Sequence, residues 1–258
     1  MSARTGADWL GAAEALAPLP PRAPDGLDAW NARWRAYAAG TPLVVTAHLS
    51  GPIALPHGPL AIDALLAAAV CLREGVVAAQ RVEELRPVEV PVVREPAGRF
   101  HLASFSVGTF DHHEKRWIHR RFPVAEAQGM AAPSLRRIQI NAGPCKSYRI
   151  PLEAGHVEGD VLTWYLLGDA DAVRDLLAVI HYLGKRRGVG LGRVVRWEVE
   201  RCEPWPGFPV VSPEGKALRT LPMDWPGLTE IEPGYKTITF PYWRREMEEL
   251  CAVAARST

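Results

Sequence analysis

The chain predicts an α+β fold built on a split β-α-β plan. Three observations carry that prediction. Two strand–helix–strand runs follow one another, a long basic stretch separates them, and a Pro-rich segment follows the second run.

Residues 1–40 read as an N-terminal extension. Leu19-Pro-Pro-Arg-Ala-Pro24 is a break, after which Asp25 or Asp28 can cap a short helix carrying Trp30, Trp34 and Tyr37 on adjacent turns. A helix this short is marginal alone, so its aromatics are expected to pack on the body. Residues 42–49 form a strand with Leu43, Val45, Ala47 and Leu49 on one face. Residues 60–74 follow as a helix with Ile62, Leu65, Leu66, Ala69 and Val70 inward. Val88–Val93 is a short strand whose Pro91 points to an edge or an end. Arg99–Val107 alternates as another strand, and residues 110–150 look irregular and basic.

Val161–Leu167 is the next strand. Asp169 or Asp171 then caps a helix reaching Leu183, with Val173, Leu176, Leu177, Ile180 and Leu183 on one face and Gly184 ending it. Val194–Glu200 is the last strand of the body. Without the basic stretch the order is β-α-β-β-α-β, the ferredoxin-like (RRM-like) split βαβ arrangement. The domain reading is therefore 41–202 for this body, with an insertion at 108–150. Residues 203–258 form a Pro-rich segment with a strand at Lys236–Phe240 and a C-terminal helix. That helix begins at Pro241 and packs on the core through Trp243, Met247, Leu250 and Ala254.

Between the second helix and the last strand, residues 184–193 hold four glycines (Gly184, Gly188, Gly190, Gly192) and four cations (Lys185, Arg186, Arg187, Arg193) without an acid. Phosphate loops of nucleotide-binding proteins run from strand to helix and use the helix N-terminus. This loop runs from helix to strand, so a mononucleotide site is excluded. Glycine-permitted backbone approach combined with unpaired cations points instead to a polyanion.

Charge distribution supports that reading. The whole chain is +1, but residues 99–150 carry +6 and residues 181–196 carry +5, leaving −10 elsewhere. A basic patch on an acidic body is the footprint of a focused polyanion site. The four cysteines (Cys71, Cys145, Cys202, Cys251) are far apart and form no CxxC, which argues against a zinc module. No signal peptide or membrane-length apolar run is recognisable, so a cytoplasmic protein without a membrane partner is expected.

Four motifs resemble the RAMP proteins of CRISPR systems. Val45-Thr-Ala-His-Leu49 with Gly58-Pro-Leu-Ala-Ile-Asp-Ala-Leu-Leu-Ala-Ala68 resembles the opening of the type IV handle-binding subunit, the Csf branch of the Cas five family. That branch tends to carry Gly where this chain has Ala64. Lys146-Ser-Tyr-Arg-Ile-Pro151 is similar to the segment closing its basic insertion, and Gly188-Val-Gly-Leu-Gly192 to its glycine loop. The resemblance spans roughly residues 42–225 and leaves the first 40 uncovered. It implies a ferredoxin-like RNA-binding subunit that grips the 5′ handle of the crRNA and caps one end of a ribonucleoprotein. Its implied neighbours are a Cas-seven-like backbone subunit, a large subunit and target DNA near the flanking motif. Target sequence itself is read by base pairing.

The residues that suit handle binding fall in two segments. In the insertion, Lys115, Arg116, Arg120 and Arg121 interleave with Trp117 and His119, a pattern in which bases stack while cations follow the backbone. Arg136, Arg137, Lys146, Tyr148 and Arg149 extend it. In the glycine loop, Lys185, Arg186, Arg187 and Arg193 supply charge, while Gly188, Gly190 and Gly192 supply close backbone approach. A structural reading competes at each position: a small apolar cluster under a loop for Trp117, a solvated surface for Arg136 and Arg137.

His57 lies in the loop after the first strand, where some CRISPR RNA endonucleases of the same superfamily place a general base. Metal-independent cleavage there would use His57 with Tyr148 or Lys185 stabilising charge. Nothing in the spacing fixes a second catalytic residue, so a non-catalytic protein is the expectation. His101, His112, His113 and His119 have no carboxylate or cysteine at ligand spacing, so neither a metal nor another cofactor is expected. A third reading makes the N-terminal helix a docking module, with RNA incidental.

Overall fold

The computed structural model describes residues 26–54, 58–74, 88–120, 148–185, 187–240, 242 and 245–254. Its architecture is α+β with antiparallel sheets. Helix α1 (Gly26–Arg35) precedes strand β1 (Thr41–Leu49) and helix α2 (Ile62–Arg73). Strands β2 (Phe110–Arg120) and β3 (Tyr148–Val157) come next, then β4 (Val161–Gly168), helix α3 (Ala170–Leu177) and β5 (Val194–Arg201). Short strands β6 (Leu221–Pro222), β7 (Pro233–Thr237) and β8 (Glu248–Ala252) complete the order.

The central sheet runs β4-β1-β5, all antiparallel. Alternation in β1 does what its sequence predicts: Leu43, Val45, Ala47 and Leu49 are buried. They meet Leu162, Trp164 and Leu166 of β4 in the same core as Ile62, Leu66 and Val70 of α2 and Val173, Leu176 and Leu177 of α3. Two indoles packed in this core donate to backbone, Trp164 to Leu60 O and Trp197 to Ile180 O, each at 2.8 Å. That satisfies their only polar atom. Asp169 caps α3 through a 2.9 Å bond from the Ala172 amide.

Segment 101–107 lies against the outer edge of β4, with antiparallel bridges Ala103–Leu166 and Val107–Thr163. It alternates as expected but is not a continuous strand. Its donors are shared outward: Phe105 N–H donates to Leu218 O, and Ser106 N–H donates to Leu60 O. The Ser104 and Ser106 hydroxyls accept from the Tyr165 and Leu60 amides. Side-chain oxygens that replace ladder partners break a strand without leaving polar groups unsatisfied. The expected strand at 88–93 is likewise a short extended docking, through Val93 N–H to Leu167 O at 2.8 Å, with Val90 and Val92 buried.

Four further expectations are corrected. The helix over 169–183 stops at Leu177, because residues 181–183 turn to pair with the start of β5. Val194 N–H donates to His181 O at 2.9 Å and Leu183 N–H to Gly192 O at 2.8 Å. Ile180 and Leu183 stay buried, so the apolar spacing survives the change of backbone. The basic stretch is irregular in sequence but not at its base. β2 and β3 form a long antiparallel ribbon in register from His112–His156 to Arg120–Tyr148. The C-terminal helix is replaced by β8, which pairs with β7 and β6 in a second sheet. There Cys251 and Ala252 are buried and Leu250 is half exposed, against the expected stripe, of which Ala254 is buried and Trp243 lies outside the described residues. Cross-strand pairing with β7 overrides the 3–4 residue spacing. The strand expected at Lys236–Phe240 forms at Pro233–Thr237.

Arg219 clamps this second sheet to the body. Its guanidinium is fully buried and donates to His101 O, Ala103 O, Ile238 O and the Tyr242 hydroxyl. It lies 3.7 Å from the Asp63 carboxylate in the first turn of α2, and Tyr242 donates to the same carboxylate. Burial pushes the Asp63 carboxyl up, but His101, Arg219 and Tyr242 together bring it down to about 2. Burial and the neighbouring Asp63 charge raise the Tyr242 hydroxyl, which keeps it a donor.

Helix α1 packs on the body, as its aromatics predict. Leu27 and Trp34 are buried. Trp30 Nε1 donates to Glu89 O at 2.8 Å, and Asn31 Oδ1 accepts from the Glu89 amide at 2.8 Å. Among the described residues no helix is long and apolar enough to cross a membrane.

Candidate nucleic-acid interface

The glycine loop folds back on the segment that follows β1. Residues 50, 52 and 54 bond to it in succession. Ser50 N–H donates to Arg193 O at 3.0 Å, Gly192 N–H to Pro52 O at 2.9 Å and Lys185 N–H to Ala54 O at 2.7 Å. At the tip, Arg187–Val189 make one 3₁₀ turn that Gly190 N–H closes on Arg187 O.

The four glycines divide into two kinds. Gly184 (φ +73°) and Gly192 (φ +66°) face inward, where an added Cβ would sit 2.4 Å from Ala54 O and 2.1 Å from Leu183 O. These two exist for packing and backbone conformation. Gly184 therefore docks the loop on Ala54 and does not end a helix. Gly188 and Gly190 have nothing within 4 Å of an added Cβ, and their backbone is open to solvent. Of the glycines expected to meet a ligand, Gly188 and Gly190 are free to do so, and Gly192 is spent on the fold.

The ribbon reaches the same segment from its other side. Ile53 and Gly155 exchange both backbone hydrogen bonds at 2.9 Å. Ala54, Ala154 and Leu191 form a small buried core with Leu152 against it, separate from the two larger cores. One thread, residues 50–54, thus carries the glycine loop on one edge and the ribbon base on the other. The base of the ribbon and the glycine loop, far apart in sequence, meet there.

A family model described as CRISPR type IV associated protein Csf3 matches residues 41–254. The chain belongs to the Csf3 family. The match runs past residue 225 to take in the second sheet, and it leaves out α1. No curated protein matches the chain.

In this Csf3 family member the predicted cations differ in availability. Lys115, Lys185, Arg187 and Arg193 are exposed and form no ion pair with a described residue. Arg116 is held by Glu114, Nε to Oε1 at 2.7 Å, on the same face of the ribbon. Arg149 lies over the Trp117 ring, 3.9 Å from its centroid, and Trp117 remains 45 % exposed. These two side chains make a flat platform on one ribbon face. His119 is exposed in register with Arg149, and Arg120 is in register with half-buried Tyr148 at the far end of the described ribbon. Tyr148 lies seven residue steps before Gly155, about 23 Å of extended chain. Arg121, Arg136, Arg137, Lys146, Arg186 and His57 lie outside the described residues.

Arg196, counted in the basic run, is neutralised. Its Nη2 and the His48 Nε2 each contact Glu198 at 2.8 Å. The His48 hydrogen bond and the Arg196 charge hold the Glu198 carboxyl below the usual range. Among the described residues no cluster of three or more His, Cys, Asp or Glu could hold a metal ion.

Sequence reasoning missed the node itself: Ile53, Ala54, Ala154, Gly155 and Leu191. One signal was present, a leucine between two glycines in a stretch otherwise fit for solvent.

Proposed function

We propose that this chain is a non-catalytic RNA-binding subunit of a type IV CRISPR ribonucleoprotein. In this reading it grips the 5′ handle of the crRNA and caps the backbone filament. Its neighbours are a Cas-seven-like backbone subunit, the large subunit and target DNA at the flanking motif. Family membership supports the type IV context. The carrying observation is the convergence of the ribbon base and the glycine loop on residues 50–54, with Lys115, Lys185, Arg187 and Arg193 exposed and outside any ion pair among the described residues. Cations for phosphate, open backbone at Gly188 and Gly190, and the Trp117–Arg149 platform are the components that single-strand binding uses.

We also read the body as ferredoxin-like. Support comes from the antiparallel order 101–107, β4, β1, β5, in which a strand–helix–strand pair is split by the strand between its halves.

The test is a titration of fluorescent single-stranded handle RNA with the full chain at low salt, with and without EDTA. Binding is expected, with the RNA left intact. Charge reversal at Lys185, Arg187 and Arg193 is expected to abolish it. Absence of binding at low salt overturns the RNA reading, and cleavage that persists in EDTA and is lost in His57→Ala overturns the non-catalytic part.

A further inference from the structure

Leu191 stands apart from the loop that carries it. Residues 187–190 and Arg193 are exposed, whereas Leu191 is 0 % exposed. Its buried neighbours come from two other elements: Ala54 on the thread after β1, and Ala154 on the ribbon strand β3. Each of the three segments contributes one fully buried side chain to this core, and Leu191 is the largest of them; half-buried Leu152 of β3 packs against its rim. The alanines cannot reach inward to fill a gap, because Ala has no rotamers to change. The backbone bonds Lys185–Ala54 and Ile53–Gly155 fix where the segments cross. They leave the tilt of ribbon against loop to the packing between them.

We propose that Leu191 is a positioning residue that sets the separation of ribbon and loop, so that the two basic segments bind one single-stranded polyanion as a unit. This rests on the RNA-binding reading and deepens it. Leu191 touches no RNA in this account. It acts by holding Lys115 and the Trp117–Arg149 platform at a fixed distance from Lys185, Arg187 and Arg193. Without it, the ribbon and loop still carry every charge but no longer present them together.

The experiment uses the full chain and a fluorescent oligouridylate of about 16 nucleotides, the upper end of single-strand site sizes. Leu191→Ala is expected to bind about tenfold more weakly, in the range of coupling through packed side chains. Its salt slope should be shallower by about 0.7 for each phosphate no longer neutralised, although every cation is still present. Leu191→Met should restore both quantities. The double variant Lys115→Ala/Arg149→Ala should weaken binding strongly in the wild-type background and little in Leu191→Ala, because the ribbon has already ceased to cooperate. Amide exchange should quicken at Ile53, Gly155 and Lys185 while the centre of β1 stays protected. If Leu191→Ala unfolds the chain, the milder Leu191→Val carries the same comparison. Wild-type affinity and slope in the Leu191 variant, or equal effects of the ribbon variant in both backgrounds, overturn the proposal. A wild-type chain that does not bind the probe overturns the RNA reading instead.

Discussion

Alanine at Gly192 and alanine at Gly188 should have opposite consequences, although both glycines sit in one short loop. At Gly192 the added Cβ would lie 2.1 Å from Leu183 O, a backbone atom that cannot swing away, at a φ of +66°. The left-handed conformation alone costs a Cβ-bearing residue about 1–2 kcal/mol. Relieving the overlap means breaking the Leu183 N–H to Gly192 O bond and the Gly192 N–H to Pro52 O bond, each worth about 1 kcal/mol. The expected loss for Gly192→Ala is therefore about 3 kcal/mol. Gly188 meets nothing within 4 Å and its φ is not positive, so Gly188→Ala should change stability by less than about 1 kcal/mol, with the sign toward stabilisation. On the RNA-binding reading its effect falls on binding, because a methyl group would stand at the open backbone proposed to meet RNA. Urea unfolding followed by circular dichroism measures the first quantity, and RNA anisotropy on the folded chains measures the second. Equal stability losses for the two variants would refute the division of the loop into packed and open glycines.

Arg219→Met leaves the Asp63 carboxylate buried without its cation and should cost about 3–5 kcal/mol in urea unfolding. Adding Asp63→Asn should recover part of that loss, because a buried pair is cheaper absent than half present. Acid should act on the same group. The folded Asp63 carboxyl lies near 2 against an ordinary 3.8, so its contribution of about 2 kcal/mol is complete above pH 4 and is lost as pH falls toward 2. Stability of Asp63→Asn should be flatter across that window than wild type, as measured by thermal melts at successive pH values. Trp117→Ala should weaken single-stranded RNA binding by about 1–3 kcal/mol, the worth of one stacked base, with stability nearly unchanged because the ring is already half exposed. An unchanged affinity would make Trp117 and Arg149 a surface pair only.

The parts of the fold that face the core were legible from sequence because burial writes a period into it. In β1 the buried set is the expected one, and in α2 Ile62, Leu66, Ala69 and Val70 are buried as expected, while Leu65 is only half-buried and Asp63 and Ala67 are buried beside them. The ribbon was illegible for the opposite reason. Residues such as His112, Glu114, Arg116 and His156 lie on a strand pair with water on both faces, so no alternation marks it. β8 misled because Met247, Leu250 and Ala254 happen to fit a helical stripe, and pairing with the distant β6 and β7 decides for the strand. In the candidate site the cations were legible by type, but their availability was not. Arg116 and Arg196 are tied to Glu114 and Glu198, acids two residues away along the same strands, and strand spacing is what brings each pair to one face. The Asp63–Arg219–Tyr242 clamp joins α2 to the far end of the chain and left no local mark.

The salt dependence of RNA binding tests most directly whether the two basic segments act on one strand. The full chain should show a log–log slope set by the cations of both ribbon and loop, about −0.7 for each phosphate neutralised. Neutralising Lys115 and Arg149, or Lys185, Arg187 and Arg193, should each reduce that slope, and neutralising all five should flatten it further. A slope that responds to one segment and ignores the other would contradict the account.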